Sequence, residues 1–125
     1  MEKKVIVPPG IDPSTMPYSP GVQAGNTLFA SGALGVRDGA LVGNDIVSQA
    51  RQAMENLGAV LAAAGTSWDR VVKVNCYLVH PDRDFAGWNE VFREYFAENP
   101  PARTTVGATL PLAGALIEVD ITAIV

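Results

Sequence analysis

The sequence predicts a single α+β domain in which one β-sheet carries two helices on one face. Three observations lead there. The chain has 125 residues, which fits one domain and leaves no room for two. Two segments repeat apolar residues at helical spacing, and six short β-prone runs surround them in the order β-β-β-α-β-α-β-β. Two amphipathic helices can cover only one face of such a sheet.

Taken in order, Lys3–Val7 reads as a first strand. Residues 8–21 follow as a Pro-, Gly- and Ser-rich loop containing Pro8-Pro9-Gly10, Pro13-Ser14, Pro17 and Pro20-Gly21. Val22–Ala24 and Thr27–Ser31 flank Gly25-Asn26 and read as a hairpin. Gly32-Ala33-Leu34-Gly35 reads as a turn, and not a phosphate loop, because no Lys and helix follow it. Arg37-Asp38-Gly39 marks another turn.

The first helix is the clearest element. Asp45 is a good N-cap, and Ala50, Ala53, Met54, Leu57, Val60, Leu61 and Ala64 form its apolar stripe until Gly65 stops it. Gln49, Arg51, Gln52 and Glu55 are expected on the solvated side. Arg70–Val79 reads as a strand, with Val72, Val74, Cys76 and Leu78 on one face and Val71, Lys73, Asn75, Tyr77 and Val79 on the other. A second helix is expected over Asp84–Glu98, with Phe85, Trp88, Phe92, Tyr95 and Phe96 as its stripe and Pro100-Pro101 beyond its end. The last strands are Arg103–Leu110 and Ala115–Val125, joined by Pro111–Gly114. In the final strand Ile117, Val119, Ile121, Ala123 and Val125 suit packing under the helices. Leu116, Glu118, Asp120, Thr122 and Ile124 make the opposite face half apolar. Such a face wants a partner, and a symmetric homo-oligomer is the default way to supply one.

Composition narrows the function classes. With 48% hydrophobic and 18% charged residues, the chain resembles an ordinary globular protein. Its net charge is −4 and its basic residues are scattered, so the electrostatic footprint of a nucleic-acid binder is missing. No run reaches membrane-spanning length, and Met1–Val7 lacks the pattern of a secretory signal. With the single thiol of Cys76, these features lead to the expectation of a cytoplasmic protein without disulfides. Cys76 alternates with Val74 and Leu78 and reads as a core thiol. His80 reads as a loop residue, and one His with one Cys gives a zinc site no support. Trp88, Phe92 and Phe96 read as helix core, not a base-stacking platform.

Polar residues gather in the last two strands. Alternation places Arg103, Thr105, Gly107 and Thr109 on one side of their strand, and Glu118 lies on the half-apolar face of the next. If these strands pair across Pro111–Gly114, Arg103 and Glu118 approach each other. A guanidinium binds a carboxylate in two parallel hydrogen bonds, and a carboxylate in a partly apolar site can deprotonate water. The pair thus suits a pocket for a small carboxylic acid undergoing hydrolysis. By spacing alone, an ordinary ion pair is the more frequent outcome.

Pro101-Ala102-Arg103-Thr104-Thr105-Val106, then Leu110-Pro111, then Leu116-Ile117-Glu118-Val119 resembles the signature of the RidA (YjgF/YER057c/UK114) family. Pro17-Tyr18-Ser19-Pro20-Gly21-Val22 is similar to that family's Pro-Tyr segment, and Asn26–Gly32 to its Ser-Gly strand. Gln49-Ala50-Arg51-Gln52, Ala63-Ala64-Gly65 and Asp84-Phe85 fall in the family's order and spacing. The resemblance implies a chorismate mutase-like (YjgF) fold, one mixed sheet with two helices on one face, assembled as a homotrimer with pockets between subunits. It implies hydrolysis of 2-aminoacrylate, 2-iminobutyrate and related enamines and imines to 2-keto acids and ammonia, with no cofactor and no metal. The ligand would be a small imino or keto acid.

Carried over residue by residue, Arg103 would clamp the substrate carboxylate, Glu118 would position or activate water, and Tyr18 would be the pocket tyrosine. Ser31, Gly32, Asn89 and Thr105 would line the substrate site. Two departures leave the substrate open. Thr105 stands where many bacterial members carry a cysteine, and Leu112 follows Leu110-Pro111 where a lysine is frequent. A deaminase of a larger substrate such as 2-aminomuconate, and a non-catalytic protein that binds small ligands, are therefore the competing readings.

Overall fold

The computed structural model describes residues 2–125. Its strands are β1 (Lys3–Ile6), β2 (Gly21–Ala24), β3 (Thr27–Ala30), β4 (Ala33–Leu34), β5 (Val36–Arg37), β6 (Ala40–Leu41), β7 (Val71–Leu78), β8 (Ala102–Gly107) and β9 (Ile117–Ile124). Its α-helices are α1 (Ile46–Ala63) and α2 (Pro81–Tyr95). The main sheet runs β1-β2-β3-β9-β7-β8, and β4 also pairs with β9. β7 and β8 are parallel and the other pairs antiparallel, so the expected α+β architecture with a mixed sheet is what the chain adopts. β5 and β6 form a separate hairpin around Asp38 and Gly39, both in left-handed conformation. That conformation is what an Asp-Gly turn supplies at little cost.

The order of the last strands differs from the expected one. β8 and β9 are not neighbours, because β7 lies between them. A parallel pair needs a long crossover, and α2 supplies it between β7 and β8. β8 therefore occupies one side of β7, and the chain from 108 to 116 carries β9 to the other side. Arg103 is in register with Val74 of β7, and Glu118 with Tyr77.

The helices form where the sequence places their signals. The Asp45 carboxylate accepts a hydrogen bond from the Ser48 N–H at 2.9 Å, satisfying a donor that the first turn leaves free. Gly65, with φ 76°, ends α1 in a conformation that side chains resist. α2 starts three residues earlier than expected, at Pro81, whose fixed φ suits the first helical position. It ends at Tyr95, before Asn99 with φ 47°. The core lies between helices and sheet and includes Leu28, Met54, Leu57, Leu61, Val74, Leu78, Trp88, Ile117, Val119 and Ile121, all at most 1% exposed. Cys76 is buried among them.

Four local expectations are corrected, the first being Phe85, which is 43% exposed and outside the buried stripe of α2. A β-bulge between Val71 and Lys73 resets the alternation, so Val71 is buried and Val72 is 44% exposed. Ala33–Leu34 is a strand, not part of a turn, because β9 is long enough to pair with it beyond β3. Gln49 and Gln52 are buried, not on the solvated side with Arg51 and Glu55. The Gln49 side-chain amide donates to the Gly43 and Gly114 carbonyls and accepts from the Leu116 N–H, contacts that repay its burial. No helix among the described residues is long and apolar enough to cross a membrane.

Candidate active site

The residues singled out from the sequence fall into two groups on opposite faces of the sheet. Glu118 alternates with the buried Ile117 and Val119, so it points away from the helices. There it meets the segment between β3 and β4, where Ser31 and Gly32 lie. A cavity of about 360 Å³ is lined by Tyr18, Ser31, Gly32, Leu34, Pro111 and Glu118. The Ser31 hydroxyl donates to the Ser19 carbonyl at 2.6 Å, tying the end of β3 to the loop that carries Tyr18. Tyr18 itself is 56% exposed.

Gly32 is a matter of space. A Cβ there would lie 2.8 Å from Glu118 Cδ and 3.0 Å from its Oε2, so the carboxylate rests directly on the glycine backbone. Partial burial, and next to it the charge of Asp120, push the Glu118 carboxyl above the usual carboxylate range. Such a group holds its proton longer and is the stronger base once ionised.

Behind Glu118, the same face carries a polar cluster that the sequence reading did not single out. Asn75 donates to Asp120 at 2.9 Å, and the Tyr77 hydroxyl donates to its other oxygen at 3.1 Å. These donors hold the Asp120 side chain in place beside Glu118. Their two-residue alternation was visible in the sequence, but their cross-strand pairing depends on the unexpected strand order.

The second group faces the helices. Arg103, on edge strand β8, donates from Nη1 to Asn89 Oδ1 of α2 at 2.8 Å. Its guanidinium carbon lies 4.7 Å from the Phe92 ring centre and 5.5 Å from that of Phe85. Aromatic stacking and one amide thus hold the guanidinium, while no carboxylate pairs with it among the described residues. A cavity of about 610 Å³ lined by Asn89, Phe92, Phe96, Pro100 and Arg103 opens at this edge. Thr105 is in register with Cys76. Its buried hydroxyl, like the Trp88 Nε1–H, has no hydrogen-bond partner. Burial pushes the Cys76 thiol pKa up, keeping it an uncharged core group.

The expected approach of Arg103 and Glu118 within one chain is therefore not what the fold gives. The structure brings Tyr18, Ser31, Gly32 and Glu118 together, and separately Arg103, Asn89 and Thr105. β7 stands between the two sets, and the cation and carboxylate project from opposite faces. Among the described residues no three His, Cys, Asp or Glu side chains converge as metal ligands.

Further residues act behind the Gly32 segment. Asn56 donates to the Leu34 and Val36 carbonyls at 3.0 and 2.9 Å and accepts from Gln52. Gly35 lies against Gln49, whose backbone a Cβ would meet at 2.6 Å. This ladder of α1 amides sets where Gly32 presents itself to Glu118. Helical periodicity conceals it, because an amide that binds distant backbone looks like a solvated one.

Comparison with known proteins gives one family under several functional names. A family model described as Endoribonuclease L-PSP matches residues 11–125. A protein from Dermatophagoides farinae named 2-iminobutanoate/2-iminopropanoate deaminase is 38% identical over 94% of this chain and 93% of its own length. A RutC family protein from Pyrococcus horikoshii is 43% identical over 83% of each chain. The solved structure of a Rid family protein of unknown function from Yersinia pestis superimposes with a TM-score of 0.88 at 36% identity, covering 99% of this chain and 100% of that one.

Proposed function

The chain belongs to the endoribonuclease L-PSP family, also known as YjgF/YER057c/UK114 or Rid, and from that premise we propose that it is an imine deaminase. It would hydrolyse 2-imino acids and their enamine tautomers to 2-keto acids and ammonia, as a homotrimer whose sites form between subunits. Some relatives carry that activity in their names, at 36–38% identity, whereas others are named only by family.

The observation that carries the reading is the division into complementary halves. One half holds a guanidinium with no carboxylate partner at an exposed sheet edge; the other holds a carboxylate, raised in pKa, in a cavity with no cation on its wall. Each lacks what the other has, and juxtaposing two chains supplies it. The sheet face opposite the helices favours such assembly. It exposes Val5, Phe29 and Ile124 at 46%, 51% and 40%, apolar area that a neighbouring copy would remove from water.

The chemistry asks for positioning more than for a powerful catalyst. Arg103 of one subunit grips the substrate carboxylate through two parallel hydrogen bonds. Glu118 of the next takes a proton from a water whose oxygen forms a bond to the protonated imine carbon, and the C=N pair moves onto nitrogen. The resulting carbinolamine passes a proton to nitrogen, the C–N bond breaks, and ammonia leaves as the carbonyl forms. The ribonuclease reading that the family's description suggests is less favoured. The net charge is −4, and the carboxylates of Glu118 and Asp120 repel a phosphate backbone.

The test is hydrolysis of 2-iminobutanoate and 2-iminopropanoate, generated in a coupled assay. The protein should accelerate it, and Arg103→Ala should lower kcat/KM by about 100-fold or more through loss of two charge-assisted bonds. Binding of 2-oxobutyrate without turnover of any imino acid would favour the non-catalytic ligand-binding reading. Absence of both would overturn the assignment.

A further inference from the structure

A larger cavity of about 390 Å³ opens beside the Glu118 cavity, and the two share Tyr18, Ser31, Gly32 and Leu34 on their walls. Its interior is made by Pro8, Met16, Val36, Leu57 and Val60, with Leu57 and Val60 belonging to the buried core. Two of its uncharged polar side chains, Asn56 and Ser31, are already engaged internally, and the third, Tyr18, stands on the wall shared with the Glu118 cavity. Both amide hydrogens of Asn56 are given to the Leu34 and Val36 carbonyls, and its oxygen accepts from Gln52. The Ser31 hydroxyl is given to Ser19. The one charge on the wall, Asp38, stands exposed in the β5–β6 turn and repels an anion. A cavity of this kind takes hydrocarbon, not a carboxylate.

Resting on the deaminase reading, we propose that this cavity is the side-chain subsite and that the preferred substrates are 2-imino acids with apolar side chains of about four to seven carbons. The shared wall carries the argument. Gly32 is the backbone on which the Glu118 carboxylate rests. A substrate whose imine carbon sits beside that carboxylate has its side chain at the Tyr18–Leu34 boundary, where the larger cavity begins. A methyl or ethyl side chain leaves the cavity unfilled and forgoes the burial that a longer one gains.

Three measurements test this. The first compares kcat/KM for 2-imino-4-methylpentanoate and 2-iminopropanoate, both generated in situ by an amino-acid oxidase. The longer substrate should be favoured by at least about tenfold. The second repeats the comparison in Val36→Phe, which fills the cavity and should abolish the preference. The third needs no catalysis: 4-methyl-2-oxopentanoate should shift the Met16 and Leu57 methyl resonances of the wild-type protein, leaving the core methyl of Met54 in place, whereas pyruvate should not. Hydrolysis that ignores chain length, with Met16 unmoved, overturns the subsite and leaves the deaminase reading intact. Shifts at Met16 and Leu57 without hydrolysis of any imino acid overturn the deaminase reading and leave the cavity as a binding site for apolar keto acids.

Discussion

Replacing Gly32 with alanine should lower activity sharply while sparing the fold. The backbone at Gly32 is not left-handed, so alanine is conformationally allowed. Its methyl carbon would stand 2.8 Å from Glu118 Cδ. To regain ordinary van der Waals contact the carboxylate must retreat by about 0.6 Å, which a half-buried, flexible side chain can do at little cost in stability. The cost falls on chemistry, because displacement of a catalytic group on the order of 1 Å is worth about 100-fold in rate. The expected result is a fall in kcat of about tenfold to a hundredfold, with KM little changed and Tm within a few degrees of wild type. Gly35→Ala is the contrasting control. There the added carbon meets Gln49 backbone at 2.6 Å, which cannot swing aside, and a loss of about 2–3 kcal/mol should lower Tm on the order of 10 °C. Kinetics on 2-iminobutanoate and thermal unfolding by circular dichroism report both. A Gly32→Ala protein with wild-type kcat would refute the claim that this glycine sets the position of a working carboxylate.

Other perturbations follow from the same contacts. Glu118 must be ionised to accept a proton, and its pKa is raised by burial and then by Asp120. Activity should therefore fall on acidification through a limb lying above the ordinary carboxylate range. Asp120→Asn should move that limb to lower pH, and an unmoved limb would mean that Glu118 is not the titrating base. The linked stability effect has the opposite sense. A carboxyl raised in the folded state contributes stability below its unfolded pKa and loses it as pH rises through the folded value. Glu118→Gln should therefore gain stability relative to wild type between acid and neutral pH, seen as a Tm difference that grows with pH, while losing activity. Gln49→Ala removes a buried amide and leaves Gly43, Gly114 and Leu116 backbone groups without their partner. It should cost about 2–4 kcal/mol in urea unfolding, and a loss below 1 kcal/mol would contradict the bracing role given to it.

Local signals were legible in the sequence and long-range ones were not. Asp45 and Gly65 bracket α1 because caps act within a turn of the residues they serve. The alternation of Ile117, Val119, Ile121 and Ala123 reads directly as a strand under helices. The bulge at Val72 was invisible, since an inserted residue shifts every later side chain without leaving a compositional mark. So was the placement of β7 between β8 and β9, which follows from the α2 crossover and not from the short Pro111–Gly114 connection. The candidate residues themselves were named from motifs. Their division between two faces was not, because spacing along strands says nothing about which strands are neighbours. Gln49 and Asn56 escaped for a related reason: backbone groups they bind lie up to 67 residues away, beyond any periodic pattern.

The central claim is that Arg103 of one subunit completes the Glu118 half-site of the next. Complementation between two inactive variants tests it most directly. Arg103→Ala and Glu118→Gln, each inactive alone, are co-expressed in equal amounts and the mixed assemblies are assayed on 2-iminobutanoate. With shared sites and random assembly, about one quarter of interfaces pair an intact arginine with an intact glutamate, so about one quarter of wild-type activity should return. If the mixture stays as inactive as its parents although mixed assemblies form, the two residues do not meet across an interface and the account fails.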